Sequence, residues 1–464
     1  MFADKKITLM GLGLLGRGLG DAKFFAEAGA DLIITDLKTE TDLAPSVAAL
    51  ANLRDTQGNP AKITFHLGEH RLEDFENRDL IVRAPNAPLD SPFLAHAREH
   101  GIPIEMDSAL FTKLATSNSD ASKTPTIVGI TGTRGKSTVT HLIYEILRAA
   151  STADKANRKI YLGGNVKDTA TLPLIETVAA NDAVVLELDS WQLQGFEEDK
   201  ISPHIAVWTN FMPDHMNYYR GDMDRYFADK AAIARFQKPG DFFIAPHDIK
   251  EKIEARFGVL AGNYIEPLAL PTDWEIALPG EHNRINAALA TAATRALGIS
   301  DEIIKKTLKD FHALPNRLEF LGEKNGIKFY NDSNATTPEA AVVALEALGK
   351  DGTTNARPLV LIAGGSDKEL DFAPLAAQIA EDEKNIKKIV LFEGKASEKL
   401  KALLPENIAT RVTMAPNMND AFGAAIAAAQ PGDTILLSPA ATSFGIFKNE
   451  YDRGEQFTDL FSKA

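Results

Sequence analysis

Short apolar runs alternate with amphipathic stretches from the start of the chain. Ile7 to Met10 forms an apolar run; a glycine turn, a helix-like stretch reaching Ala28 and a second run from Leu32 to Thr35, ending at Asp36, follow it. This order predicts a βαβ beginning. The polar segment Thr116 to Lys123 (TSNSDASK) reads as a linker, because Ser, Asn and Asp favour turns and nothing apolar there could pack. From Thr126 the order strand, glycine loop, helix recurs, with further strands expected over Val184 to Leu188 and Ile205 to Thr209 and helical stretches up to about Phe311. A second boundary is expected near Leu314-Pro315-Asn316-Arg317, after which Leu359 to Ala363, Ile389 to Phe392 and Thr434 to Leu437 alternate with alanine-rich helical segments. The reading is an α/β protein of three domains, 1–117, 118–315 and 316–464, each built on a mostly parallel sheet.

Composition narrows the choice of function. A chain of 464 residues exceeds what one hydrophobic core usually organises, and no apolar run approaches the roughly 18 residues that span a bilayer. Lys5 and Lys6 before an apolar stretch have the look of a signal peptide, but Gly11, Gly13 and Gly16 interrupt it and no small-residue cleavage site follows. With 64 acidic against 50 basic residues, the formal charge of −14 offers no general attraction to nucleic acid or an anionic membrane. Any anionic ligand must be held by local groups. The absence of cysteine removes disulfides, thiolate nucleophiles and thiolate-bound metals and fits a reducing compartment. The expectation is a cytoplasmic monomer with no nucleic-acid partner and no membrane insertion.

Two glycine turns carry candidate chemistry. In Gly129-Ile-Thr-Gly-Thr-Arg-Gly-Lys136-Ser137-Thr138 a glycine-rich loop joins a β-branched strand to a helix whose Val139, Leu142, Ile143, Ile146 and Leu147 follow helical spacing. Backbone N–H groups of Gly132, Thr133 and Gly135 and the helix N-terminus suit phosphate oxygens, Lys136 can reach the terminal phosphates, and Ser137 or Thr138 can ligate Mg²⁺. Gly132 lies nearer Lys136 than in the usual GxxxxGK, while Gly129 keeps the run glycine-rich. The first turn, Gly11-Leu12-Gly13-Leu14-Leu15-Gly16, also follows a strand, with Asp36 at the end of the next one. It fits a nicotinamide dinucleotide, the pyrophosphate of a UDP-sugar, or no ligand at all, and does not choose among them.

The order of further blocks resembles the Mur ligase family along almost the whole chain. After the phosphate loop come Gly163-Gly164-Asn165, Glu187 within LELDSWQLQGF, Asn210 with Asp214-His215-Met216, Lys230, and Gly280-Glu-His-Asn283 with Asn286. Asn316-Arg317-Leu-Glu319, Asn331-Asp332-Ser333, Gly364-Gly365-Ser-Asp-Lys368, Ser438 to Ser443 and Phe447-Lys448-Asn449 complete the order. The resemblance implies a Rossmann-like UDP-binding domain, a central P-loop ATPase-like domain and a Rossmann-like C-terminal domain. It implies an ATP-dependent amide-bond ligase of peptidoglycan precursor synthesis, adding glutamate, with the D-isomer expected, to UDP-N-acetylmuramoyl-L-alanine through an acyl phosphate.

By the same resemblance, Ser137 and Glu187 serve one Mg²⁺, His215 a second, and Lys230 is the lysine that the family carries as a carbamate. Asn283 and Asn286 fall to the adenine side of ATP, and Arg317 and Asp332 to the nucleotide. Leu14, Leu15, Asp36 and Asn86 fall to the uridine diphosphate, Asn165 and His215 to the sugar and phosphate path, and Thr336, Lys368, Ser443 and Phe444 to the amino acid. Two positions depart from the pattern: Asn334 stands where NDSKAT has lysine, and Glu450 where an aromatic residue is common. If both side chains point inward, an acidic amino acid is disfavoured and its handedness is open; if both face solvent, neither matters. The alternatives are an L-glutamate-adding variant, a sister Mur ligase or folylpolyglutamate synthase and, from another class, an NTP-dependent sensor with a dinucleotide in its first domain.

Overall fold

The computed structural model describes residues 1–14, 16–88, 90–118, 120, 123–153, 158–166, 169–349 and 358–464. Three sheets follow one another along the chain. The first contains β1 (Lys6–Met10), β2 (Asp31–Asp36), β3 (Lys62–Leu67), β4 (Leu80–Arg83) and β5 (Ile104–Glu105), in the order β3-β2-β1-β4-β5 and wholly parallel. Apart from its exposed first residue, β1 is buried throughout, as a parallel strand covered by helices on both faces requires. The winding reverses direction between β1 and β4. At such a reversal the loops leaving the two carboxyl ends part and open a crevice.

The second sheet contains β6 (Thr126–Thr131), β7 (Ile160–Gly164), β8 (Ala183–Glu187), β9 (Ile205–Trp208), β10 (Phe242–Ile244) and β11 (Asn263–Ile265). Its order is β11-β10-β9-β6-β8-β7, again all parallel, with the phosphate-loop strand β6 in the interior between β9 and β8. The third contains β12 (Glu319–Lys324), β13 (Ile327–Asn331), β14 (Leu359–Gly364), β15 (Ile386–Phe392), β16 (Val412–Ala415) and β17 (Thr434–Leu437), ordered β12-β13-β17-β14-β15-β16. Only the edge pair β12 and β13, joined by a tight turn, is antiparallel. The α/β class and the mostly parallel sheets read from the sequence are therefore present, with strand ends displaced by a residue at Ala183–Glu187 and Ile205–Trp208.

The chain forms two compact units, Met1–Leu270 with Asn286–Thr307, and Pro271–Ile285 with Leu308–Ala464. The first unit carries the first two sheets around one continuous core, in which Leu9, Phe25, Met106 and Phe111 join Val184, Leu186 and Phe196. The helix Asp107–Ala115 meets the helix Ser190–Asp199 closely: a Cβ on Gly195 would stand 3.0 Å from the Cβ atoms of Ala109 and Met106. Polar bonds cross the same seam, from Gln192 Nε2 to Ser108 Oγ at 3.1 Å and from Arg83 to Gln194 Oε1 at 3.3 Å. Among the described residues, no helix is long and apolar enough to cross a membrane.

Candidate active site

The phosphate loop is built by backbone conformations that only glycine adopts easily. Gly132 has φ +138° and Gly135 φ +81°, and the helix Lys136–Ala153 starts immediately after. A Cβ at Gly132 would lie 1.9 Å from Thr209 Oγ1; one at Gly135 would lie 2.4 Å from Asn286 Oδ1. The loop is clamped from the carboxyl end of β9. Thr133 N–H donates to the Asn210 carbonyl at 3.0 Å, Arg134 N–H to Asn210 Oδ1 at 2.8 Å, and Thr209 Oγ1 to the Arg134 carbonyl at 2.5 Å. Thr133 Oγ1 lies 3.1 Å from the Met212 carbonyl and 3.3 Å from the Tyr226 hydroxyl, and Arg134 pairs with Asp214 at 3.1 Å.

Two lysines converge on this loop. Lys136 Nζ donates to the carbonyls of Gly132 and Thr133 at 3.1 and 3.2 Å, and burial lowers its pKa against the pull of Glu187, Asp189 and Asp214. Lys230, on the helix Met223–Arg235, is 1% exposed and donates to the Gly132 carbonyl at 2.8 Å, with its Nζ 5.0 Å from the centre of the Tyr226 ring. Burial, then the charge of Lys136, push its ammonium well below the ordinary lysine range. Glu187 is buried at the carboxyl end of β8, paired in register with Ile130 of β6; its Oε1 is 3.4 Å from Asn165 Nδ2. His215 caps a short helix at φ 54°, packs its ring 4.6 Å from that of Trp191, and is pushed down in pKa by burial.

At the crevice of the first sheet, Gly11 to Leu14 follow β1 and Asn86 follows β4. Asp36 braces the turn itself, accepting from the N–H groups of Leu12 and Gly13 at 2.9 and 3.0 Å and of Lys38 at 2.9 Å. Leu14 is about half exposed and Asn86 exposed; Leu15 lies outside the described residues.

In the second unit, the residues expected at the amino acid follow the carboxyl ends of three neighbouring strands. Thr336 comes after β13, Lys368 after β14, and Ser443 and Phe444 after β17. Backbone bonds between Ser366 and Thr442, 3.2 Å each way, join two of these loops. Lys368 and Phe444 are exposed and Ser443 is buried. Asp332 is held inside, its Oδ1 accepting from Leu318 N–H and its Oδ2 from Ser438 Oγ, both at 2.9 Å, and burial raises its pKa to about 7. Arg317 lies on the loop before β12. Asn334 turns its amide oxygen inward, where it is buried without a hydrogen-bond partner among the described residues, and Glu450 is half-buried at the start of the helix Glu450–Lys463.

Thus the first unit gathers Gly132, Thr133, Gly135, Lys136, Lys230 and Asn286 at one loop, flanked by Glu187 on β8, while Ser137 and Thr138 open its helix. Asn283 shares the helix Glu281–Ala296 with Asn286 and donates to the Pro279 carbonyl at 2.7 Å. Sequence reading missed how the loop is braced: Thr209 and Tyr226 carried no local signal, and Asn210 and Asp214 appeared only as blocks in an order. It missed Arg453 as well, a buried arginine that donates to Ser333 Oγ at 3.1 Å, the Ser333 carbonyl at 2.8 Å and the Ala441 carbonyl at 3.1 Å, fixing the block around Asp332 to the last helix.

The chain is similar to known proteins along nearly its whole length. Residues 130–260 match the Mur ligase middle domain and 316–441 the Mur ligase glutamate ligase domain. A protein of Roseiflexus sp. named UDP-N-acetylmuramoylalanine--D-glutamate ligase is 35% identical, covering 98% of each chain. One of Borreliella burgdorferi with the same name is 33% identical over 97% of this chain and 96% of its own. Among solved structures, the UDP-N-acetylmuramate-alanine ligase of Thermotoga maritima has the same fold, with a TM-score of 0.59, 17% identity and 99% of each chain covered. Matched in two family models and along nearly its full length by these relatives, the chain belongs to the Mur ligase family.

Proposed function

We propose that this protein is the ATP-dependent ligase that joins D-glutamate to UDP-N-acetylmuramoyl-L-alanine in peptidoglycan precursor synthesis. The observation that carries the reading is the built phosphate loop, with Lys136 and Lys230 turned onto it and Glu187 buried beside it, in a chain whose relatives bear that name over nearly full length. The substrate carboxylate attacks the γ-phosphorus of ATP, the β–γ bridging P–O bond breaks, and ADP leaves. The amine of glutamate then attacks the acyl phosphate, loses a proton, and expels inorganic phosphate as the amide forms. Both partners of the first step are anions, so cations must surround the transferred group. Lys136 supplies one, and the first N–H groups of the helix Lys136–Ala153 supply fixed donors, those of Thr133 and Arg134 being spent on Asn210.

The donor set fits a magnesium ion. Ser137 and Glu187 offer hard oxygen ligands beside the loop, and a buried carboxylate with one weak amide partner is suited to a cation. Mg²⁺ there would neutralise charge on the terminal phosphates and align them for in-line transfer. His215 is a softer donor for a second ion. Carbamylation of Lys230 would exchange a buried amine for an anion next to that set, giving this lysine a reason to be buried. Domains 1–117, 118–315 and 316–464 would carry the UDP-linked substrate, ATP and the amino acid. Leu14, Asn86 and Asn165 would serve the first, with Asp36 acting through the turn it braces; Asn283, Asn286, Arg317 and Asp332 the second; Thr336, Lys368, Ser443 and Phe444 the third. Asn334 supplies no cation where the family pattern has lysine, so handedness is tested directly by supplying D- and L-glutamate in parallel. Phosphate release that needs ATP, the UDP-linked precursor and D-glutamate supports the reading; turnover indifferent to amino acid refutes it.

A further inference from the structure

Three side chains that the ligase reaction does not use meet at the amino-terminal edge of the first sheet, the end opposite the glycine turn. Glu76 follows the turn Leu72–Phe75 and leads towards β4. His96 lies on the helix Pro92–Glu99 and His100 just past its end, before β5. Two histidines four residues apart on one helical face are the spacing from which a metal is chelated. One ligand atom from each of Glu76, His96 and His100 lies within 4.8 Å of the others. His96 Nε2 already stands 2.9 Å from Glu76 Oε1, and the two imidazole rings are 4.2 Å apart between centres.

The second shell is also in place. His100 Nδ1 lies 2.8 Å from the His96 backbone carbonyl, which can only accept, so Nδ1 is the donor there and in the neutral ring Nε2 is the nitrogen that offers a lone pair. Ligating histidines are oriented in this way by a carbonyl on the other ring nitrogen.

We propose that Glu76, His96 and His100 form a zinc site with water in the fourth position. Ligands of a tetrahedral zinc ion stand about 3.4 Å apart, against 2.9 Å between Glu76 Oε1 and His96 Nε2, and the solvent-exposed His100 side chain closes what remains of the 4.8 Å spread. Two imidazoles and one carboxylate favour zinc over magnesium, which selects oxygen ligands. The ion clips the turn that enters β4 to the helix end that enters β5, and so braces the edge of the first domain.

The test is spectroscopic and independent of ligase turnover. Full-length protein in excess Mg²⁺ is titrated with Co²⁺ and the visible d–d band recorded, then Zn²⁺ is added. The expected result is a one-equivalent band, displaced by Zn²⁺ and lost in His100→Gln, with affinity at least 10-fold weaker in Glu76→Gln and the metal-free melting temperature unchanged in His100→Gln. Zinc at about 100 µM should raise the melting temperature of the unsubstituted protein by a few degrees and leave His100→Gln unmoved. No band in the unsubstituted protein, or a band of equal strength in both variants, overturns the site.

Discussion

Alanine at Gly132 tests the claim that the phosphate loop is fixed by a rigid neighbour. The residue sits at φ +138°, outside the regions open to L-residues, which alone costs on the order of 1–3 kcal/mol. The new methyl would stand 1.9 Å from Thr209 Oγ1 and 3.0 Å from Thr209 N. Neither atom is free to retreat: Oγ1 donates to the Arg134 carbonyl at 2.5 Å and the N–H to the Thr131 carbonyl at 2.9 Å. The loop must therefore open by about 1 Å, and displacement of that size at reacting groups costs roughly 100-fold in rate. In a phosphate-release assay kcat/KM for ATP should fall about 100-fold in Gly132→Ala while the melting transition stays cooperative. Adding Thr209→Ala removes the nearest atom, so the double variant should recover part of the loss, a coupling that a mutant cycle isolates. Gly132→Ala activity within about threefold of the parent would refute the reasoning.

Lys136→Met should lower phosphoryl transfer about 1,000-fold without loss of fold, checked by single-turnover rates beside circular dichroism. Lys368→Ala should raise the KM for the amino acid at least tenfold more than that for ATP; equal changes would move the amino-acid pocket elsewhere. Arg453→Met leaves the Ser333 and Ala441 acceptors without their buried cation and should cost about 3–5 kcal/mol in urea unfolding. Asp332 is an acid whose folded pKa, about 7, stands above its ordinary value of 3.8, so the native state holds the proton more firmly. Its contribution to stability therefore falls as pH rises from about 4 to about 7, by at most about 1.4 kcal/mol per pH unit, and Asp332→Asn should remove that slope.

What could be read in the sequence was what local chemistry dictates. Gly132, Gly135 and Lys136 stand in a contiguous run where loop, dipole and cation must be adjacent, so their placement needed no knowledge of the fold. Asp36 was legible as the acid ending β2, but its carboxylate is spent on the N–H groups of Leu12 and Gly13, a choice that depends on how the turn closes. Lys230 shows the opposite limit. A lysine on a polar helix reads as solvated, and only the placement of Met223–Arg235 against β6 carries its amine to the Gly132 carbonyl. Arg453 escaped for the same reason, since Ser333, which it holds, lies 120 positions away. Asn334 could be flagged as a departure, whereas the burial of its side-chain oxygen depends on how the chain packs around it.

The central claim is tested most directly by phosphate release with ATP, Mg²⁺ and UDP-N-acetylmuramoyl-L-alanine, supplied in parallel with D-glutamate, L-glutamate or no amino acid. The account predicts turnover that requires the UDP-linked precursor and D-glutamate together. Equal release in all three mixtures, or turnover with L-glutamate alone, would contradict it.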